Sequence, residues 1–278
     1  MIQSLDEPYR EALDADPAAS DSRSDPLDLR REKGTEGFRL EDFFTIKRGI
    51  ETGDNGFFIL SGARVRELDL PLEFLRPILP GPHRLPEGEI VADPEGYPIL
   101  EERLFLLDAP LPEEEIRRGY PTLYRYLQSG LERGVHHRYS CRHRSPWYAQ
   151  ERRPPAPYLC AYMGQSWEED QEVPYRFILN HSRAIAPNIY LMMYPRPALA
   201  RRLADDYSAR VALWGGLNDM GGAELAARDR IYGDLSGRLE PNELGSVPAD
   251  PVVALFPDLI PDPVAQMTLF DFPPAGEV

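Results

Sequence analysis

Residues 175–195, YRFILNHSRAIAPNIYLMMYP, decide the fold. Aromatic and β-branched residues crowd both ends of this stretch, and Asn180 and Asn188 stand between them where a chain turns. It reads as two core strands joined by a turn-bearing connection, because such side chains suit a pleated surface and Asn tolerates turn geometry. Upstream, residues 156–164, APYLCAYMG, have the same composition and read as a further core strand. Downstream the pattern changes at Pro197: PALARRLADDYSARVALWGG and GGAELAARDRIYGDL carry helical spacing and read as two helices separated by a Gly-rich turn.

Nearer the start, residues 38–60, FRLEDFFTIKRGIETGDNGFFIL, alternate polar and apolar residues around ETGDNG. This predicts two strands, or a strand and a loop, across a tight connection. LPLEFLRPILPGPHRLPEG is interrupted by prolines, GYPILEERLFLLDAP reads as one or two strands, and EEEIRRGYPTLYRYLQSGLERGV as a helix broken at Pro121. The fold class is therefore α+β: a strand-rich domain with strands between about 38 and 195 and helices mainly in the C-terminal third. Residues 1–36 are expected to be a flexible acidic leader or linker remnant, 37–250 the folded domain, and 251–278 an acidic, Pro-rich tail.

The 278 residues, 42% of them hydrophobic, suffice for a proper core. Their formal charge of -15 is unevenly spread. Residues 1–36 hold ten acids and five bases, and residues 240–278 seven acids and no base, so the two ends carry -12 and the body only -3. Neither a membrane-spanning run nor a signal-like N-terminus is present, and the expected location is the cytoplasm. Two cysteines, Cys141 and Cys160, are too few for a disulfide framework.

Against this near-neutral body the block from Arg133 to Arg153, RGVHHRYSCRHRSPWYAQERR, holds six arginines, three histidines, Tyr139, Trp147 and Tyr148 against one acid, Glu151. Arginines interleaved with aromatics suit nucleic acid: the guanidinium fork grips phosphate or guanine, and rings stack on bases or pack against sugars. The block reads either as such a surface or as a solvated loop whose Trp147 and Tyr148 turn into the core. The ETGDNG loop is equally double: Arg48, Thr52 and Asn55 reach base edges with Gly49, Gly53 and Gly56 allowing close approach, or the glycines only close a hairpin. A zinc reading from Cys141, His143, Cys160 and His136 or His137 lacks a known ligand spacing, and Cys160 then reads as a small buried hydrophobe. No phosphate loop, dinucleotide fingerprint or nucleophile elbow occurs.

In order along the chain, RGIETGDNGFFIL, EFLRPILPGPHRL, YLQSGLERGVHHRYSCRHRSPWY, FILNHSRAIAPNIYLMMYP and YGDLSGRLEPNEL resemble the C-terminal target-recognition region of bacterial adenine-specific (N6) DNA methyltransferases of restriction-modification systems. The resemblance runs from about 40 to 250 and implies a DNA sequence-recognition role. It would place Arg48, Thr52 and Asn55 on a recognition loop and Arg138, Arg142, His143, Arg144, Trp147, Tyr148, Arg152 and Arg153 on the main double-stranded DNA contact. The family's N-P-P-[YF] tetrapeptide and glycine-rich cofactor loop do not occur in this sequence. No catalytic residue is therefore assigned, no cofactor is expected on this chain, and S-adenosylmethionine is expected on a catalytic methyltransferase partner. The alternative is an enzyme in its own right, a His/Cys metal-dependent nuclease or a divergent methyltransferase. In the tail, Gln266, Leu269 and Phe270 resemble a Q-x-x-L-F docking peptide for the sliding clamp, or else pack back on the chain.

Overall fold

In the computed structural model, residues 37–162, 175–232 and 239–261 are described. The leader 1–36 and the peptide containing Gln266, Leu269 and Phe270 lie outside them. The architecture is α+β, built on two antiparallel sheets.

The larger sheet has the order β1-β7-β5-β6, from β1 (Phe44–Arg48), β5 (Tyr158–Tyr162), β6 (Tyr175–Leu179) and β7 (Tyr190–Pro195). Its inner strands are apolar without interruption because both faces are covered. Tyr158, Cys160, Phe177, Leu179, Leu191 and Met193 face one core, whereas Leu159, Ala161, Ile178, Tyr190 and Met192 face another. Successive side chains of a strand point to opposite faces, so a strand buried on both sides loses its polar positions.

The first of these faces is covered by helices. α7 (Pro197–Leu203) supplies Leu199 and Leu203, and α8 (Tyr207–Tyr232) supplies Leu213 and Leu217. The sequence pattern predicted a Gly-rich break near 215–222, but α8 runs through both glycine pairs and the break falls at Asp205–Asp206. Each helical glycine costs about 1 kcal/mol relative to alanine. Packing of α8 along the edge strand β6 outweighs this: the Phe177 N–H donates to Asn218 Oδ1 at 2.9 Å, while Trp214 Nε1 and Asn218 Nδ2 donate to the Phe177 carbonyl at 2.8 and 3.1 Å. The exposed edge is thereby closed against further strands.

α9 (Pro241–Gly245) and α10 (Asp250–Leu255) complete that core, with Leu244, Val247 and Val252 fully buried. Packing thus continues past residue 250. The strip Phe38–Leu40 closes onto Val247–Ala249 through Leu40 N to Val247 O at 2.8 Å and Ala249 N to Phe38 O at 2.9 Å.

The smaller sheet has the order β2-β4-β3, from β2 (Ile59–Ser61), β3 (Leu75–Ile78) and β4 (Leu104–Leu107). Pro77 sits on the edge strand β3, where its missing N–H is tolerated. The helical pair breaks at Pro121 as its sequence predicts, giving α4 (Glu113–Gly119) and α5 (Pro121–Glu132). α5 packs Leu123, Tyr126 and Leu127 into the core of this sheet. The sheets meet where Ile78 and Ile50 bridge Ile185 and Pro187, in the connection between β6 and β7. ETGDNG is accordingly no hairpin: β1 pairs with β7 and β2 with β4, so the loop carries the chain from one sheet to the other. Within it lies the single-turn α2 (Asn55–Phe58), with Asp54 as N-cap accepting from Phe57 N at 3.1 Å. Two further short helices are α1 (Leu40–Phe43) and α3 (Gly62–Glu67).

Candidate functional site

α5 ends in Gly134, whose φ of 71° is the left-handed conformation that terminates helices. The basic block then makes a 3-10 turn at Val135–His137 and the short helix α6 (Tyr139–Arg142). Val135 and Cys141 are buried and pin these turns to the smaller-sheet core, so His137, Arg138 and Tyr139 between them are exposed, while His136 is half-buried with its ring 6.1 Å from that of Trp147. Tyr139 is 72% exposed. The Arg142 guanidinium lies 5.1 Å from its ring centroid, and the His143 ring lies 4.6 Å away with Nδ1 2.6 Å from the Tyr139 carbonyl. Arg138 is exposed, with its guanidinium 3.7 Å from Asp54, and Arg133 lies over Phe57 at 5.5 Å.

The second half of the block is built differently. Arg144 donates to the backbone carbonyls of Thr52 at 2.8 Å and of Glu51, and to Gln150 Oε1 at 3.1 Å. Trp147 packs against Phe57 and Phe58, and Tyr148 is buried with its hydroxyl donating to the Leu111 carbonyl at 2.9 Å. Burial pushes the Tyr148 phenol up to about 12. Asp108, with only 1% of its side chain exposed, accepts from Gln150 N and Arg152 Nε, both at 3.1 Å, and faces Arg76 at 3.6 Å. Arg153 pairs with Glu151 at 2.6 Å and donates to the Arg48 carbonyl.

The two segments singled out in the sequence, ETGDNG and the basic block, come together as one surface. Arg144 holds the loop's carbonyls, Ser140 Oγ donates to Glu51, and the Cys141 thiol lies 3.8 Å from the Thr52 carbonyl. Gly53 has φ 88°, and a Cβ there would stand 2.6 Å from Cys141 Sγ, so only glycine fits. The close approach that this glycine permits is to the protein itself.

The individual residues divide accordingly. Thr52 is buried, and its hydroxyl donates to Asn55 Oδ1 at 2.6 Å. Asn55 is exposed. Arg48 is tied to Glu240 at 2.6 Å and to the carbonyl of Leu239 at 3.4 Å. Asn180 is a turn residue: its amide donates to Ala156 O and Ala184 O, both at 3.2 Å, and its oxygen accepts from Ser182. Tyr139, His137 and Arg133 belong to the exposed surface although the sequence reading did not select them as contacts. For His137 and Tyr139 the signal is the apolar pair Val135 and Cys141 on either side, whereas Arg133 follows the end of α5.

The cysteines are not brought together. Cys141 lies in the smaller-sheet core and Cys160 in the larger-sheet core, where burial pushes its thiol up to about 12. Among the described residues no group of three or more His, Cys, Asp or Glu side chains is placed to hold a metal ion, and no helix is long and apolar enough to cross a membrane.

These features define a class: an α+β domain whose two antiparallel sheets support one basic and aromatic loop surface. The family model for the C-terminal domain of the Type II methyltransferase M.Eco57I matches residues 27–259, and the chain belongs to that family.

Proposed function

We propose that this chain is the DNA sequence-recognition part of an adenine-N6 DNA methyltransferase, and that the loop surface of ETGDNG and residues 133–143 contacts double-stranded DNA. The observation that carries the reading is the α6 turn. It exposes an aromatic ring with Arg142 over it, and Arg142 has no carboxylate partner among the described residues. An arginine so displayed can meet a phosphate or a guanine edge, and a free ring can pack on sugars or bases. Membership of a Type II methyltransferase C-terminal-domain family supports the same reading.

Catalysis and S-adenosylmethionine belong, on this proposal, to a catalytic domain that supplies the N-P-P-[YF] tetrapeptide. The described strands pair antiparallel in both sheets, and among the described residues no Gly-rich turn joins a parallel strand to a helix. These residues do not fit a cofactor cradled at such a turn. Methyl transfer needs the sulfonium in line with a flipped base, a demand on the catalytic domain rather than on this surface.

The test is a gel-shift titration of the chain against a labelled, randomised duplex pool, combined with a methylation assay using labelled S-adenosylmethionine. Salt-dependent duplex binding, with methyl transfer only when the catalytic polypeptide is added, is expected. Absence of duplex binding at low salt, or methyl transfer by the chain alone, would overturn the reading.

A further inference from the structure

Glu51 is an exposed carboxylate set among the arginines of the basic block. Its Oε1 accepts from Ser140 Oγ and its own backbone carbonyl accepts from Arg144, so the side chain is fixed to the surface at both ends. Four residues on, Asn55 is also exposed, and its Oδ1 accepts from the buried Thr52 hydroxyl at 2.6 Å. What remains for a ligand is therefore one acceptor, Glu51 Oε2, and one donor group, the Asn55 amide NH2.

A carboxylate cannot face a phosphate without repulsion. On a surface laid against duplex DNA it has one favourable counterpart, the exocyclic amino group of cytosine or adenine in the major groove. The Asn55 NH2 has the converse requirement, a ring nitrogen or carbonyl oxygen on a base edge. We infer that Glu51 and Asn55 are the base-reading pair of this surface, with Glu51 specifying an amino-bearing base and Asn55 an acceptor-bearing edge close by, while Arg138 and Arg142 hold the flanking phosphates. This rests on the DNA-binding reading above.

The geometry supplies its own probes. Glu51→Gln keeps an oxygen for Ser140 and turns the outward acceptor into a donor. Asn55→Asp keeps an oxygen for Thr52 and turns the outward donor into an acceptor. Each inverts one hydrogen-bond polarity at nearly constant shape.

The experiment is selection of bound sequences from a randomised duplex pool by the full chain and by each variant, with thermal melting to confirm folding. Glu51→Gln is expected to move one position of the selected sequence away from cytosine, whose major-groove edge offers only a donor, toward guanine or thymine, by about tenfold or more in relative enrichment; where that position is adenine, whose N7 also accepts from Gln, guanine and thymine are expected to rise beside it. Asn55→Asp is expected to move a position nearby in the opposite direction. Folded variants that both select the parent sequence overturn the inference. If they do so while Arg142→Ala still weakens binding to every sequence, the DNA-binding surface stands and only the assignment of the readers falls. Failure of the parent chain to bind duplex removes both.

Discussion

The two halves of the basic block hold three arginines each and differ in use. From Arg133 to His143 buried Val135 and Cys141 hold a displayed set: His137, Arg138 and Tyr139 are exposed, and Arg142 and His143 pack on the Tyr139 ring. From Arg144 to Arg153 most are anchors, although Arg152 stays 57% exposed. Arg144 holds carbonyls of the neighbouring loop, Arg152 and Arg76 converge on buried Asp108, and Trp147 and Tyr148 fill the smaller-sheet core. Arginine is suited to both uses, since its fork satisfies several acceptors at once and stays charged. A basic, aromatic stretch therefore overstates the surface it offers, and carbonyl groups, which carry no formal charge, occupy much of the difference.

Substitutions in the anchoring half should act mainly on stability. Tyr148→Ala removes a buried ring and its hydrogen bond, and should cost about 3 to 5 kcal/mol in chemical denaturation. Arg144→Ala strips partners from the Thr52 and Glu51 carbonyls and should cost about 1.5 to 3 kcal/mol. It should weaken DNA binding as well, because the loop bearing Glu51 and Asn55 loses its clamp. Undiminished stability in Arg144→Ala would break the division between anchors and contacts.

A gentler probe is pH. Burial holds the Tyr148 phenol at about 12, above the ordinary tyrosine value, so in the unfolded chain it ionises first. Its contribution is fully present below about pH 10 and is lost as pH rises through the window up to about 12. Buried Cys160, also raised to about 12, shifts stability in the same direction, beginning from the lower ordinary value of a thiol. Denaturation midpoints should fall as pH is raised from 9 to 11, by less in Tyr148→Phe. An equal fall in that variant would remove Tyr148 from the explanation.

Much of the scaffold was legible because it depends on local pattern. The apolar runs at Tyr158–Tyr162 and Tyr190–Pro195, the turn at Asn180 and the break at Pro121 all lie where the sequence puts them. ETGDNG was not legible as a crossover, since a hairpin has the same turn residues; the difference lies in partner strands far along the chain. The continuous α8 was missed because Gly215 and Gly216 look like a break until Trp214 and Asn218 are seen on the edge of β6. Within the site, nothing local separates Arg142 from Arg144. Two residues apart at the end of one short helical turn, they point to solvent and to the Thr52 carbonyl respectively, and that carbonyl lies 92 positions away from Arg144.

The sharpest form of the comparison is therefore the smallest change in stability. Arg142→Ala removes a guanidinium that packs on the exposed Tyr139 ring and has no carboxylate partner among the described residues, so the fold should keep its stability within about 0.5 kcal/mol. A phosphate contact, in contrast, contributes counterion release, and its loss should lower the slope of log binding constant against log salt by about one. The decrease should apply alike to all duplex sequences, because a phosphate carries no base identity. Arg144→Ala should behave oppositely, with lower stability and a loss of binding that follows the disordered loop rather than the salt. Gel-shift titrations at several salt concentrations, read beside melting curves of the same two variants, distinguish a displayed arginine from an anchoring one.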